Sequence, residues 1–256
     1  MIIFPLIAAL VSTLFAFLLL RQYAKKRRIQ QLAWGVSMAM FAVASFVVMY
    51  GTSQGWDATS YKVFYLFGAM LNVPWLALGS IALFNKRELT LVALVIVLVI
   101  SIFGFFKVVS SHPCEAITGP TSSRTCPRAT AVSAENRIFG RKNIPSGSDV
   151  WHKDSSVRSL AIWYSTIAYV IVVGISVLSS RPRKGVAPPA ERVRANLLIA
   201  VGVTIVAIGS TALVRYGRGA AFSITLAIGV TVMFVGFLLA SRAPRHRVEQ
   251  PGESPT

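Results

Sequence analysis

Seven long apolar runs, none with a charged residue in its central stretch, constrain this chain more than any other feature. A helix needs about 20 predominantly apolar residues to cross a hydrocarbon core roughly 30 Å thick. The runs Ile2–Leu20, Leu32–Tyr50, Tyr61–Phe84, Thr90–Phe106, Ser159–Ser179, Asn196–Val214 and Gly219–Ala240 are of that kind. They take up more than half of the 256 residues, which leaves no room for a soluble catalytic domain. With 54% hydrophobic and 14% charged residues, the composition lies outside the range of ordinary soluble domains. The expectation is an all-α, polytopic membrane protein: a bundle of seven transmembrane helices over residues 1–241, followed by a disordered tail at 242–256.

The first run differs from a secretory signal. Such a signal carries its positive charge before the apolar stretch and a small-residue cleavage site after it. Here Met1 to Phe4 is uncharged, and Arg21, Lys25, Lys26, Arg27 and Arg28 follow the run instead. That order predicts a retained helix with its N-terminus outside.

A formal net charge of +17 invites a nucleic-acid reading, but the arrangement of the charge argues against it. If the first loop is cytoplasmic and sides alternate, the inner segments hold Arg21 to Arg28, Lys86, Arg87, Arg181, Arg183, Lys184, Arg192, Arg194, Arg242, Arg245 and Arg247, more than half of the 26 basic residues. Most of the others lie in one long outer loop, which counts little in the positive-inside rule. The expected partners are therefore the bilayer itself, with anionic lipid headgroups at the cytoplasmic face, and a further membrane protein, with no nucleic acid. The two cysteines, Cys114 and Cys126, both fall in that outer loop, where oxidising surroundings permit a disulfide. Two unrelated signals thus give one topology, with the C-terminus inside.

Short connections predict helices that run up and down as sequential neighbours. The exception is the extracytoplasmic loop 111–157, rich in Ser, Pro, Gly and Arg and without clear periodicity. It reads as an irregular loop pinned by one disulfide; a cap over the bundle is the alternative. A short surface helix is expected over Ala129–Ile138, and Ser155 or Ser156 is expected to cap the fifth span. Tyr50, Trp56, Tyr61, Trp151, Trp163, Tyr164 and Tyr216 near the outer boundary, with Tyr23 and Trp34 at the inner one, read as an interfacial anchor belt.

The third run carries the best local signal. Tyr61, Tyr65, Gly68, Asn72, Trp75 and Gly79 recur at helical spacing and so share one face. Asn72 falls near mid-membrane, where an amide needs a partner, and Pro74 removes a backbone donor close by. The face reads as a packing seam, with a polar, aromatic-lined cavity as the alternative. Thr225, Gly229, Gly236 and Ala240, Gly202 and Gly209, and Gly35, Ala39 and Ala42 form further small-residue seams.

Chemistry-bearing side chains are scarce. His112, His152 and His246 all lie outside the runs, so no imidazole is available at depth for haem. With Cys114 and Cys126 the first two match no paired zinc spacing, and a disulfide is the better reading. Lys62 and Lys107 sit at run ends where they snorkel. No ionisable residue sits inside a run, which argues against proton relays, a retinal Schiff base and hydrolytic machinery. The expectation is a non-enzymatic, cofactor-free and metal-free protein of a cell membrane, in all a bacterial inner-membrane protein. It is a sensor or membrane-complex subunit; the alternative is a carrier or channel for a neutral or lipophilic solute.

Overall fold

Helices dominate because the bilayer leaves the backbone no other partner: each N–H and C=O must be satisfied within the segment. The computed structural model describes residues 2–84, 86–116, 137–151, 155–181, 190–210 and 219–242. The long helices are α1 (Ile3–Lys26), α2 (Ile29–Gln54), α3 (Ala58–Phe84), α4 (Arg87–Ser110), α5 (Ser156–Ser179), α6 (Ala190–Ile208) and α7 (Gly219–Arg242). A single helical turn, Gly147–Val150, precedes α5. Six of these helices are long and apolar enough to cross a membrane; the apolar part of α6, Val193–Ile208, is shorter. Among the described residues there is no β-strand, only an isolated bridge between Ala116 and Arg137.

Local chemistry sets the ends. Arg27 adopts φ 50°, and its N–H bonds to the Tyr23 carbonyl, so α1 stops in a left-handed turn and α2 starts two residues later. Gly55, at φ 102° and ψ 153°, closes α2 with an extended turn and an N–H bond to the Gly51 carbonyl. Asp57 and Ser60 form a reciprocal capping box that starts α3. Ser155 occupies the cap position of α5, but its side chain makes no capping bond.

The helices close into a ring. α2 packs on α1 and α3, α5 on α3 and α6, and α7 on α6 and α1. α4 leans on the outside of α3 and α5. It is the least buried helix; Val92, Val95, Val99, Ile102 and Phe106 are all more than half exposed. α6 and α7 run antiparallel, because a Cβ on Gly202 would meet Met233 and one on Gly236 would meet the Ala195 carbonyl. α1 and α7 run parallel, with Phe15 against Phe234 and Phe237 at centroid distances of 5.2 and 5.0 Å.

Inside the ring the packing is dry. Phe15, Trp34, Met38, Leu76, Ile199, Met233 and Phe237 surround a void of about 20 Å³ without polar lining. That is room for about one water and no partner to hold it.

Where it is described, the long segment after α4 is largely irregular in backbone, with an isolated bridge and one helical turn, yet parts of it pack onto the helices. Cys114, Ala116, Ile138, Val150 and Trp151 are all buried. The Cys114 N–H bonds to the Val150 carbonyl, and the Ile138 N–H to the Glu115 carbonyl. Two more bonds tie this segment to the α2–α3 connection: Gly140 N–H to Trp56 O at 2.8 Å and Trp56 N–H to Arg141 O at 3.0 Å. These residues form a cap on the end of the bundle where α1 begins. Composition reports local propensity and is blind to such apolar residues folded back onto the helices. Residues 117–136, which include Cys126 and most of the expected surface helix, lie outside the described residues, as do His152 and the tail from 243. Cys114 is not a free thiol, and with Cys126 outside the described residues the bridge between them is a proposal.

Candidate functional site

The site begins with an interruption in α3. Residues Tyr65–Leu71 form a π-helical stretch between two α-helical ones, Ala58–Phe64 and Asn72–Ile81. Such wide turns leave backbone groups out of α-helical register and favour functional positions. Pro74 lies just beyond and has no N–H to return to the preceding turn. The carbonyls left over are taken by hydroxyls from neighbouring helices. Ser165 on α5 donates to the Ala69 carbonyl, and Ser37 on α2 donates to the Asn72 carbonyl at 3.0 Å. Ser37 also reaches Asn72 Oδ1 at 2.6 Å.

The six residues of the third-run face do not share one neighbour, because the π stretch rotates the outer half of α3 relative to the inner half. Gly68, Asn72 and Gly79 turn toward α2. A Cβ on Gly68 would lie 3.1 Å from that of Ala44. At Gly79 it would fall 2.1 Å from Trp34 Cδ1, so the indole rests directly on the glycine. Trp34 then donates Nε1–H to the Leu76 carbonyl at 3.2 Å. Trp75 points elsewhere, donating to Ser101 on α4 at 3.2 Å. Asn72 is buried, and none of the six borders the central void.

Tyr61 and Tyr65 belong to an aromatic core beneath the cap. Their rings stack at 5.9 Å. Trp151 of the cap lies 6.4 Å from Tyr61 and 5.7 Å from Tyr65. Trp56 and Phe139 add further rings at 5.9 and 6.3 Å from Tyr61. Trp56, Tyr61 and Trp151 are only 1%, 1% and 2% exposed, so these three are no part of an interfacial belt. Trp34 is partly buried in the α2–α3 seam. The belt rule reads amphipathic rings near a boundary, and the cap supplies a competing protein environment at that boundary. Tyr50 and Trp163 are exposed, as an anchor requires. The indole N–H groups of Trp56 and Trp151 are buried without a hydrogen-bond partner among the described residues.

Several residues that hold this site escaped sequence reasoning. Ser37 carries no local signature, and Ser165, an isolated hydroxyl expected to bond back to its own helix, donates instead to the Ala69 carbonyl on α3. Gly51 is different: the Trp56 indole lies on it, with a notional Cβ 2.4 Å from Cε2. A glycine one turn before a chain reversal and a tryptophan just after it was a legible signal, as was Asp57-x-x-Ser60. His112 is exposed, and among the described residues no three His, Cys, Asp or Glu side chains gather as metal ligands.

Compared with protein-family models, curated proteins and solved structures, the chain matches none. The functional reading therefore rests on the geometry alone.

Proposed function

We propose that this chain is a non-enzymatic sensor or interaction subunit of a cell membrane, with seven spans, the N-terminus and cap outside and the C-terminus inside. Support for the seventh span comes from the alternating course of the helices: α6 runs antiparallel to α7, and α1 runs parallel to α7. The outer position of the cap follows from the basic connections at the other end, and a Cys114–Cys126 disulfide fits that side.

One observation carries the functional reading. The cap is fused by aromatic packing to the outer half of α3, and that half ends in the π stretch and Pro74. A ligand or partner protein engaging the cap would pull on a helix whose register changes from α to π and back between cap and mid-bundle. The apolar void of about 20 Å³ among Phe15, Trp34 and Met38 offers a solute no polar group, which favours an interaction scaffold over a solute conduit.

Hydrogen exchange tests the coupling. Trp151→Leu should raise amide exchange across Tyr65–Leu71 and leave the α6–α7 pair unchanged; unaltered exchange in α3 removes the mechanism. Flux of neutral solutes into proteoliposomes above that of protein-free vesicles, abolished by Asn72→Leu in a folded protein, would replace it with a carrier.

A further inference from the structure

The end of the bundle opposite the cap is a one-sign surface. Arg21, Lys25, Lys26, Arg27, Arg28, Lys86, Arg87, Arg181 and Arg194 are all exposed there, and Glu88 and Glu191 are the carboxylates among the described residues at that end. Five of these cations crowd into the α1–α2 turn. None of the five has a carboxylate partner among the described residues.

Two further features separate this turn from a merely solvated charge run. First, Leu10, Leu14 and Phe17 are 56%, 50% and 60% exposed, and they continue along the same face of α1 into Arg21 and Lys25. At 1.5 Å per residue, Leu10 to Arg21 covers roughly 16 Å, about one leaflet of a 30 Å hydrocarbon core. The stripe is matched to acyl chain below and to charge above. Second, Arg27 is the one described non-glycine residue with positive φ. Glycine is the low-strain choice at such a helix end, yet here an arginine is held there, its guanidinium 5.9 Å from the Tyr23 ring centroid. The turn is braced from within by Gln31 Nε2–H, which donates to Gln22 Oε1 at 3.1 Å.

We propose that the α1–α2 turn is a binding site for anionic phospholipid. The phosphate-bearing headgroup is held by Arg21, Lys25, Arg27 and Arg28, and its chain lies along Leu10, Leu14 and Phe17. Lipid is the occupant because cations alone would serve any phosphate, whereas a leaflet-deep apolar stripe in line with them serves only an amphiphile. The site is independent of the sensor reading and survives its failure.

The test uses the full-length protein purified in detergent, exposed to equimolar phosphatidylglycerol and phosphatidylcholine, with retained lipid measured by mass spectrometry after gel filtration. The native chain should retain phosphatidylglycerol in preference. Arg21→Gln, Lys25→Gln, Arg27→Gln and Arg28→Gln together should lower that retention about tenfold, well within what about 1 kcal/mol per cation permits. Neutralising Lys86, Arg87, Arg181 and Arg194 instead should leave most of it. Equal loss in both quadruple variants would mean a diffuse field and would overturn the site. Displacement by glycerol phosphate as effective as by whole lipid would overturn the role of the stripe. Should the glutamine variant fail to fold, Leu14→Asn with Phe17→Asn keeps every charge and must still lower retention; unchanged retention sinks the proposal.

Discussion

Ser37 on α2 and Asn72 on α3 are joined at mid-bundle. One hydroxyl lies 2.6 Å from Asn72 Oδ1 and 3.0 Å from the Asn72 carbonyl, both in a buried environment. The pair locks α2 to α3 at the place where the π stretch returns to α-helix. A double-mutant cycle of Ser37→Ala and Asn72→Ala, followed by unfolding in mixed micelles, should give a coupling energy of about 0.6 kcal/mol and at most about 1.7 kcal/mol. Zero coupling would make the contact incidental.

Gly79 offers a steric test with an internal control. The Trp34 ring leaves no space for a methyl group there, so Gly79→Ala should cost about 1–3 kcal/mol through overpacking. Gly174 on α5 faces open space, and Gly174→Ala should be neutral or stabilising by up to about 1 kcal/mol. Thermal unfolding of the two variants side by side checks the contrast, and equal effects would place the Trp34 ring elsewhere.

The aromatic core should control the cap without controlling the whole bundle. Trp151→Ala removes a fully buried ring that touches both Tyr61 and Tyr65, a loss of about 3–5 kcal/mol at that end. Amide exchange should accelerate at Cys114, Ile138 and Gly140, whose N–H groups hold the cap together, while α6 keeps its protection. Acceleration spread evenly over all helices would contradict a separate cap.

A Cys114–Cys126 bridge should appear as one disulfide-linked peptide in a non-reducing digest. Its removal by Cys126→Ser should lower stability by about 3 kcal/mol on the chain-entropy view of a short closed loop. Free thiol at both positions in protein isolated under thiol-blocking conditions would dismiss the bridge.

Topology is open to a labelling experiment in intact cells. A cysteine placed at Lys142 should react with a membrane-impermeant maleimide, and one placed at Lys26 should react only after permeabilisation. The reverse pattern would invert the orientation proposed here, although the fold would stand.

Much of the scaffold is legible along the chain because the bilayer is a demanding solvent. Any run of about 20 apolar residues must satisfy its own backbone, so helix positions follow from composition. The glycines facing α2 from α3, and those between α6 and α7, follow from the same logic, since helices in lipid associate where side chains are small. The partners on the other helix are a different matter. Nothing local marks Ser37 as the hydroxyl for Asn72, or Ser165 as the donor to Ala69. The π stretch has no sequence signature beyond the nearby Pro74, and it is what splits a face that straight helical spacing would keep together.

By itself, then, the sequence determined an all-helical membrane protein, the course of its long helices, the concentration of charge at one end and the absence of ionisable groups at depth. These are matters of solvation, decided residue by residue. The tertiary structure alone decided that Trp56, Tyr61 and Trp151 lie beneath a cap and not in headgroups, that α4 stands outside the ring, and that Phe15, Trp34, Met38 and Leu76 meet around an apolar void. Those outcomes depend on which surfaces meet across long separations, and an apolar side chain satisfies the hydrophobic effect equally well against lipid or against protein.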